Sequence, residues 1–158
     1  GDGDMEEKYK NLARRMKIED LVEFLGYRED IPQLLALSDV LVSTSRQEGL
    51  PVNVMEGMTV GLPLVVTDCR GNRDLVEDGK NGFLIPIGAP KSFASAIEKL
   101  YVSSSLRQRF SKANLMRIQD YRLDIVLGKM REIYRKRLGE DFSRSFPTVH
   151  QILEKRKI

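Results

Sequence analysis

The chain has 158 residues, 41% of them hydrophobic and 31% charged, which gives a globular composition with length for one domain and too little for a two-domain enzyme. Lys and Arg number 26 against 23 Asp and Glu, and a formal charge of +3 does not by itself imply a nucleic-acid partner. A single cysteine, Cys69, and a single histidine, His150, exclude an intrachain disulfide and argue against a Cys/His zinc site or a Ser-His or Cys-His catalytic pair.

A reducing, cytoplasmic setting fits that cysteine usage. No apolar stretch approaches the roughly 20 residues of a spanning helix, and Gly1-Asp2-Gly3-Asp4 lacks the basic and apolar pattern of a signal peptide. The absence of an initial Met suggests a piece excised from a longer protein.

Along the chain, Met5, Tyr9, Leu12, Ala13 and Met16 recur at three- and four-residue intervals and predict an amphipathic helix from Met5 to Met16, with that face in the core. Leu21 to Leu25, stopped by Gly26, then Val40 to Thr44 and Leu64 to Thr67 are apolar runs that suit strands buried on both faces of a parallel sheet. Between them lie helical patterns over Ile31 to Ser38, with Pro32 in its first turn, and over Pro51 to Val60, closed by Gly61. A polar loop over Asp68 to Asn72 leads to a short helix from Arg73 to Glu77 and a turn over Asp78 to Gly82. Phe83 to Pro86 reads as a last strand. From Ser92 on the pattern is helical, in three segments marked by Phe93, Ala96, Ile97 and Leu100, by Leu106, Phe110 and Ala113, and by Ile125 to Leu138. The fold class is therefore α/β, a Rossmann-like parallel sheet with flanking helices over residues 1–138. Residues 139–158 form a tail, irregular from Gly139 to Pro147 and weakly helical from Thr148 to Lys155.

The informative segment runs from Ser45 to Gly57, where a strand ends and a helix begins, the place where ligands bind to a doubly wound sheet. Two glutamates eight residues apart occur by chance, as Glu132 and Glu140 show, and without context Glu48 is a solvated loop acid and Glu56 an exposed helical one. Context separates them, because both can face one crevice into which the unpaired N–H groups of the first helical turn also point. Those amides and the helix dipole favour an anion such as a diphosphate. A carboxylate can accept two hydrogen bonds from vicinal hydroxyls, so acids beside a phosphate site fit a nucleotide sugar.

From Gly1 to about Leu138 the sequence resembles the C-terminal donor-binding domain of the retaining GT-B glycosyltransferases of family four. The resemblance rests on Gly1-Asp2-Gly3, Phe24-Leu25-Gly26, Asp30-Ile31-Pro32, Ser38-Asp39-Val40, Glu48-Gly49-Leu50-Pro51 through Glu56, Gly61-Leu62-Pro63, and Asp78-Gly79 through Asn81-Gly82-Phe83. It implies transfer of a sugar from a nucleotide-diphosphate donor with retention at the anomeric carbon, with no cofactor and no required metal. By position, it implies that Glu48 is the catalytic-site acid on the donor sugar's hydroxyls. Glu56 would hold the ribose, and amides around Gly49, Leu50 and Val52 the sugar and diphosphate. It also puts Arg28 near the base and gives Gly1 and Gly3 a nucleotide role, against the plainer reading of a simple turn. Full donor domains begin some tens of residues earlier, with a strand, an Arg and Lys pair, a helix and a second strand. A truncated sheet and a missing N-terminal acceptor domain are thus expected, and with them an inactive isolated chain.

Other readings remain open: a GT-B-shaped sugar-nucleotide epimerase, or a non-catalytic fragment acting as an interaction module. Cys69 reads as an ordinary thiol, His150 as a solvent-exposed tail residue, and Met55 and Met58 as packing residues. From Arg107 to Arg137 ten Lys/Arg face three Asp/Glu. That excess is a solvated helix face or a surface for anionic lipid at the inner face of the membrane or for the missing domain, with aromatics too sparse for nucleic acid.

Overall fold

Three of the four apolar runs pair in parallel in the computed structural model, which describes residues 3–138. The predicted irregular segment, the helix beyond Thr148, His150 and Gly1 lie outside the described residues. Within them the chain divides between Leu37 and Ser38 into two units.

The first unit carries α1 (Glu6–Met16), a 3-10 turn (Glu19–Leu21) and α2 (Ile31–Ala36). Helix α1 forms where its period predicts, with Glu6 and Glu7 in its first turn and Arg14 and Arg15 in its last to complement the helix dipole. The expected core face is not buried. Tyr9 is 51% exposed, Met5, Leu12 and Met16 are exposed too, and only Ala13 is enclosed. A 3.6-residue period marks which side is apolar and not whether anything covers it, and a unit this short has too little chain to enclose a core. Leu21–Leu25 is not a strand: past the 3-10 turn it runs irregularly to Tyr27, with Leu21 84% exposed. A strand exists by pairing its N–H and C=O groups, and among the described residues this segment has no strand beside it.

The second unit holds β1 (Leu41–Ser43), α3 (Val52–Thr59), β2 (Leu64–Thr67), α4 (Arg70–Leu75) and β3 (Gly82–Ile85). It continues through α5 (Pro90–Val102), α6 (Ser104–Arg117), a 3-10 turn (Ile118–Tyr121) and α7 (Leu123–Leu138). The sheet order is β1-β2-β3, with Leu41 opposite Leu64 and Leu64 opposite Gly82. All four β2 residues are buried, which explains its unbroken apolar run. Among the described residues no strand pairs with the other side of β1.

Alternation along β2 divides the core in two. Leu64 and Val66 pack with Val54 and Met58 of α3, Leu75 of α4 and Ile118. Val65 packs on the opposite face with Ile85, Ala96, Leu100 and Phe110. Both crossover helices, α3 and α4, lie on the first face because both connections step across the sheet the same way, while α5 and α6 cover the second. Gly61 ends α3 at a φ of 74°, its amide bonded to the Met58 carbonyl at 3.1 Å and that of Leu62 to Gly57 at 2.9 Å.

Two buried asparagines fasten α6 to this body. Asn114 Nδ2 donates to the carbonyls of Leu62 (2.8 Å) and Asn81 (2.9 Å), and its Oδ1 accepts from Asn81 Nδ2 at 2.8 Å. Asn81 Nδ2 also donates to Leu75 O at 3.0 Å, and Asn81 Oδ1 accepts from the Glu77 amide at 2.8 Å. Every amide proton and each carbonyl oxygen of the two side chains is paired, as burial requires.

Candidate functional site

Parallel pairing puts the ends of β1 and β2 side by side, so the segment after Ser43 and the one after Thr67 share the carboxyl edge of the sheet. The first of these, Thr44–Pro51, carries Glu48, which is half-buried, then Gly49 and Leu50, both exposed, with Leu50 at 52%. Pro51 is buried at the N-cap of α3, and its carbonyl accepts the first helical bond, from the Met55 amide at 3.1 Å. The amides of Val52, Asn53 and Val54 precede that bond and have no intrahelical acceptor. Val52, 63% exposed, and Glu56, also exposed, stand one turn apart on a single stripe of α3, while Val54, Gly57 and Met58 turn into the core. The structure thus brings Glu48, Gly49, Leu50, Val52 and Glu56 onto one loop and helix. Among the described residues the Glu48 carboxylate has no hydrogen-bond or ion-pair partner.

The loop rests on the β2–α4 junction. Thr67 Oγ1 donates to the Ser45 carbonyl, and Asn72 Nδ2 donates to Thr67 O at 2.8 Å and reaches Thr67 Oγ1 at 3.3 Å. Asn72 is wholly enclosed, yet its Oδ1 has no partner. Gly71 lies against the backbone of the loop: a Cβ added there would overlap the Gly49 carbonyl oxygen and stand 2.9 Å from that of Glu48. Sequence reasoning missed these three residues. Helix α4 begins at Arg70, where a polar loop is expected, because Gly71 and Asn72 are loop-forming types that serve here for close approach and for a buried bond. Beside them Arg73 donates to Asp68 at 2.5 Å, and this hydrogen bond holds the Asp68 carboxyl below its ordinary range.

The remaining expected site residues belong to the first unit. Arg28 forms a two-point pair with Asp30, at 2.7 and 2.6 Å, which holds the Asp30 carboxyl below its usual range. Gly3 is exposed, and Gly1 lies outside the described residues. Of the ten cations from Arg107 to Arg137, several have partners within the protein. Arg107 donates to the Leu100 and Tyr101 carbonyls, Arg109 to Gly79 O, and Arg117 to Asp74 O. Arg122 pairs with Asp124 and Lys136 with Glu132. Among the described residues no helix is long and apolar enough to cross a membrane.

A three-stranded parallel sheet with helices on both faces, and acids and helix amides at its carboxyl edge, defines the Rossmann-like α/β fold of GT-B glycosyltransferases. Residues 1–116 match the glycosyl transferases group 1 family, and the chain belongs to it. EpsD of Bacillus subtilis (strain 168) is 43% identical over 112 residues, 71% of this chain and 29% of its own length. The UDP-Gal:alpha-D-GlcNAc-diphosphoundecaprenol alpha-1,3-galactosyltransferase of Escherichia coli is 32% identical over 142 residues, 82% of this chain and 37% of its own length. Among solved structures, HepE of Anabaena in complex with UDP and glucose superposes with a TM-score of 0.74 at 29% identity, covering 82% of this chain and 36% of that one. The chain spans about a third of the length of these relatives.

Proposed function

We propose that this chain supplies the donor-binding part of a retaining glycosyltransferase that uses a nucleotide-diphosphate sugar, with no resident cofactor. The observation that carries this reading is the arrangement of Glu48, the amides of Val52 to Val54 and Glu56 at one sheet edge in a member of the group 1 family. A relative that uses UDP-Gal and a neighbour holding UDP and glucose favour a UDP-sugar. In transfer, the bond between the anomeric carbon and the diphosphate oxygen breaks and the electron pair leaves with the nucleoside diphosphate. A bond forms to an acceptor hydroxyl on the same face, and that hydroxyl's proton passes to the departing diphosphate oxygen. Amides at the start of α3 meet the charge that grows on the leaving diphosphate. Glu56 accepts from the ribose hydroxyls and Glu48 from those of the sugar.

Catalysis also needs an acceptor held against the face that the diphosphate leaves and water excluded, tasks we assign to an acceptor domain outside this chain, so the chain alone is expected to bind donor without transferring sugar. Titration with UDP and UDP-glucose tests the assignment. Glu56→Ala should weaken UDP about tenfold, the loss of hydrogen bonds to a charged group, while Glu48→Ala leaves UDP within about twofold and weakens only the sugar nucleotide. Equal losses of UDP affinity in both variants contradict the assignment.

A further inference from the structure

The Glu48 carboxylate has no partner of its own among the described residues, so its position is set by the backbone that carries it. That backbone is held at two points, and neither belongs to the loop or to α3. At the start of the loop, the Ser45 carbonyl accepts from Thr67 Oγ1, a contact across 22 residues of chain. At its middle, the Glu48 and Gly49 carbonyls lie against Gly71 at a distance only a residue without a side chain allows. Asn72, buried one residue further on, fixes the hydroxyl that makes the first contact. With Nδ2 directed at Thr67 O and Thr67 Oγ1, it leaves the Thr67 hydroxyl proton for Ser45. The amide pays for this orientation with an unpartnered Oδ1, so the arrangement is not one that burial alone would select.

We propose that Gly71 and Thr67 are positioning residues for donor recognition: the β2–α4 junction is a seat that sets where Glu48 meets the sugar of a nucleotide-sugar donor. This rests on the proposed donor-binding role. It adds that selectivity for sugar nucleotide over bare nucleotide is controlled from residues that touch neither. A methyl group at Gly71 must displace the Glu48–Gly49 backbone, because the atoms it meets are carbonyl oxygens of the main chain and no flexible side chain can yield in their place. Glu56, on α3, is spared, since Pro51 and the core contacts of Val54 and Met58 hold that helix independently.

The test uses the whole chain as Gly71→Ala, Thr67→Val and Thr67→Ser, with two readouts. Amide NMR shifts of the ligand-free protein report the loop directly. Titrations with UDP and with UDP-glucose, UDP-galactose and UDP-N-acetylglucosamine report recognition, the best-bound sugar nucleotide being compared with UDP. In Gly71→Ala and Thr67→Val, shifts should concentrate at residues 45–50. UDP affinity should stay within about twofold while the best sugar nucleotide weakens about tenfold, a hydrogen bond to a charged group misplaced. Thr67→Ser keeps the hydroxyl and should restore both readouts. If Gly71→Ala does not fold, the Val and Ser pair at Thr67 decides the matter alone. Unmoved loop amides in a folded variant overturn the proposal, as does a moved loop with unchanged sugar-nucleotide affinity. So does an equal loss of UDP and sugar nucleotide, the mark of a merely structural role. A wild-type chain that binds neither UDP nor any of the three sugar nucleotides overturns the donor-binding reading itself and this proposal with it.

Discussion

Two buried asparagine arrangements flank the central strand, and they are accounted for differently. At Asn81 and Asn114 each polar atom of both side chains has a partner, and the bonds tie the end of α4, the loop after it and the Leu62 carbonyl to α6, so the pair fastens scaffold to scaffold. At Asn72 one oxygen goes without, and the bonds run through Thr67 toward the loop that carries Glu48. A complete network stabilises, while an incomplete one at a sheet's carboxyl edge gives up stability to hold a loop in place.

The largest effect should come from breaking the complete network. Asn114→Leu leaves the Leu62 and Asn81 carbonyls and one Asn81 amide proton unpaired inside the core, and should lower unfolding stability by about 3 kcal/mol or more in urea melts. A loss below about 1 kcal/mol would mean that water reaches the site and the contrast is false. Asn72→Leu removes one bond to the Thr67 carbonyl, which keeps its bond from the Cys69 amide at 2.9 Å, and also removes the orphan oxygen, so a smaller loss of about 1 kcal/mol is expected in the same assay. Equal losses in the two variants would erase the distinction. Glu56→Ala should move the melt by no more than about 0.5 kcal/mol despite its expected effect on UDP, because an exposed carboxylate with no partner among the described residues contributes little to the fold.

The smallest effect concerns pH. Arg73 lowers the folded-state value of Asp68, so the pair's contribution is complete above the ordinary aspartate value near about 4 and is lost as pH falls through the lower folded value. Both side chains are exposed, so the effect is slight. The melting temperature of Asp68→Asn should sit just below wild type at neutral pH and converge with it in acid. A gap that widened in acid would reverse the assigned sign.

These contrasts also mark how far sequence reading reaches. Leu64–Thr67 was legible to the residue because a strand buried on both faces reads as one unbroken apolar and β-branched run, here between Pro63 and Asp68, and α3 was bracketed by Pro51 and Gly61. Leu21–Leu25 was misread because an apolar run records preference for burial and says nothing of a partner strand. In the site, Glu48 and Glu56 announced themselves by local spacing and family pattern. The seat beneath Glu48 did not, since it joins a hydroxyl to a main-chain carbonyl 22 residues away and uses a glycine for what it lacks.

Cys69, the sole cysteine of the chain, is 6% exposed and sits between Thr67 and Gly71, with its Sγ 4.0 Å from Thr67 Oγ1. The native sequence therefore carries its own chemical clock. The rate at which an aromatic disulfide reagent modifies this thiol measures how often the β2–α4 junction opens, and the ratio to an unstructured thiol's rate converts into a local opening free energy with no label added.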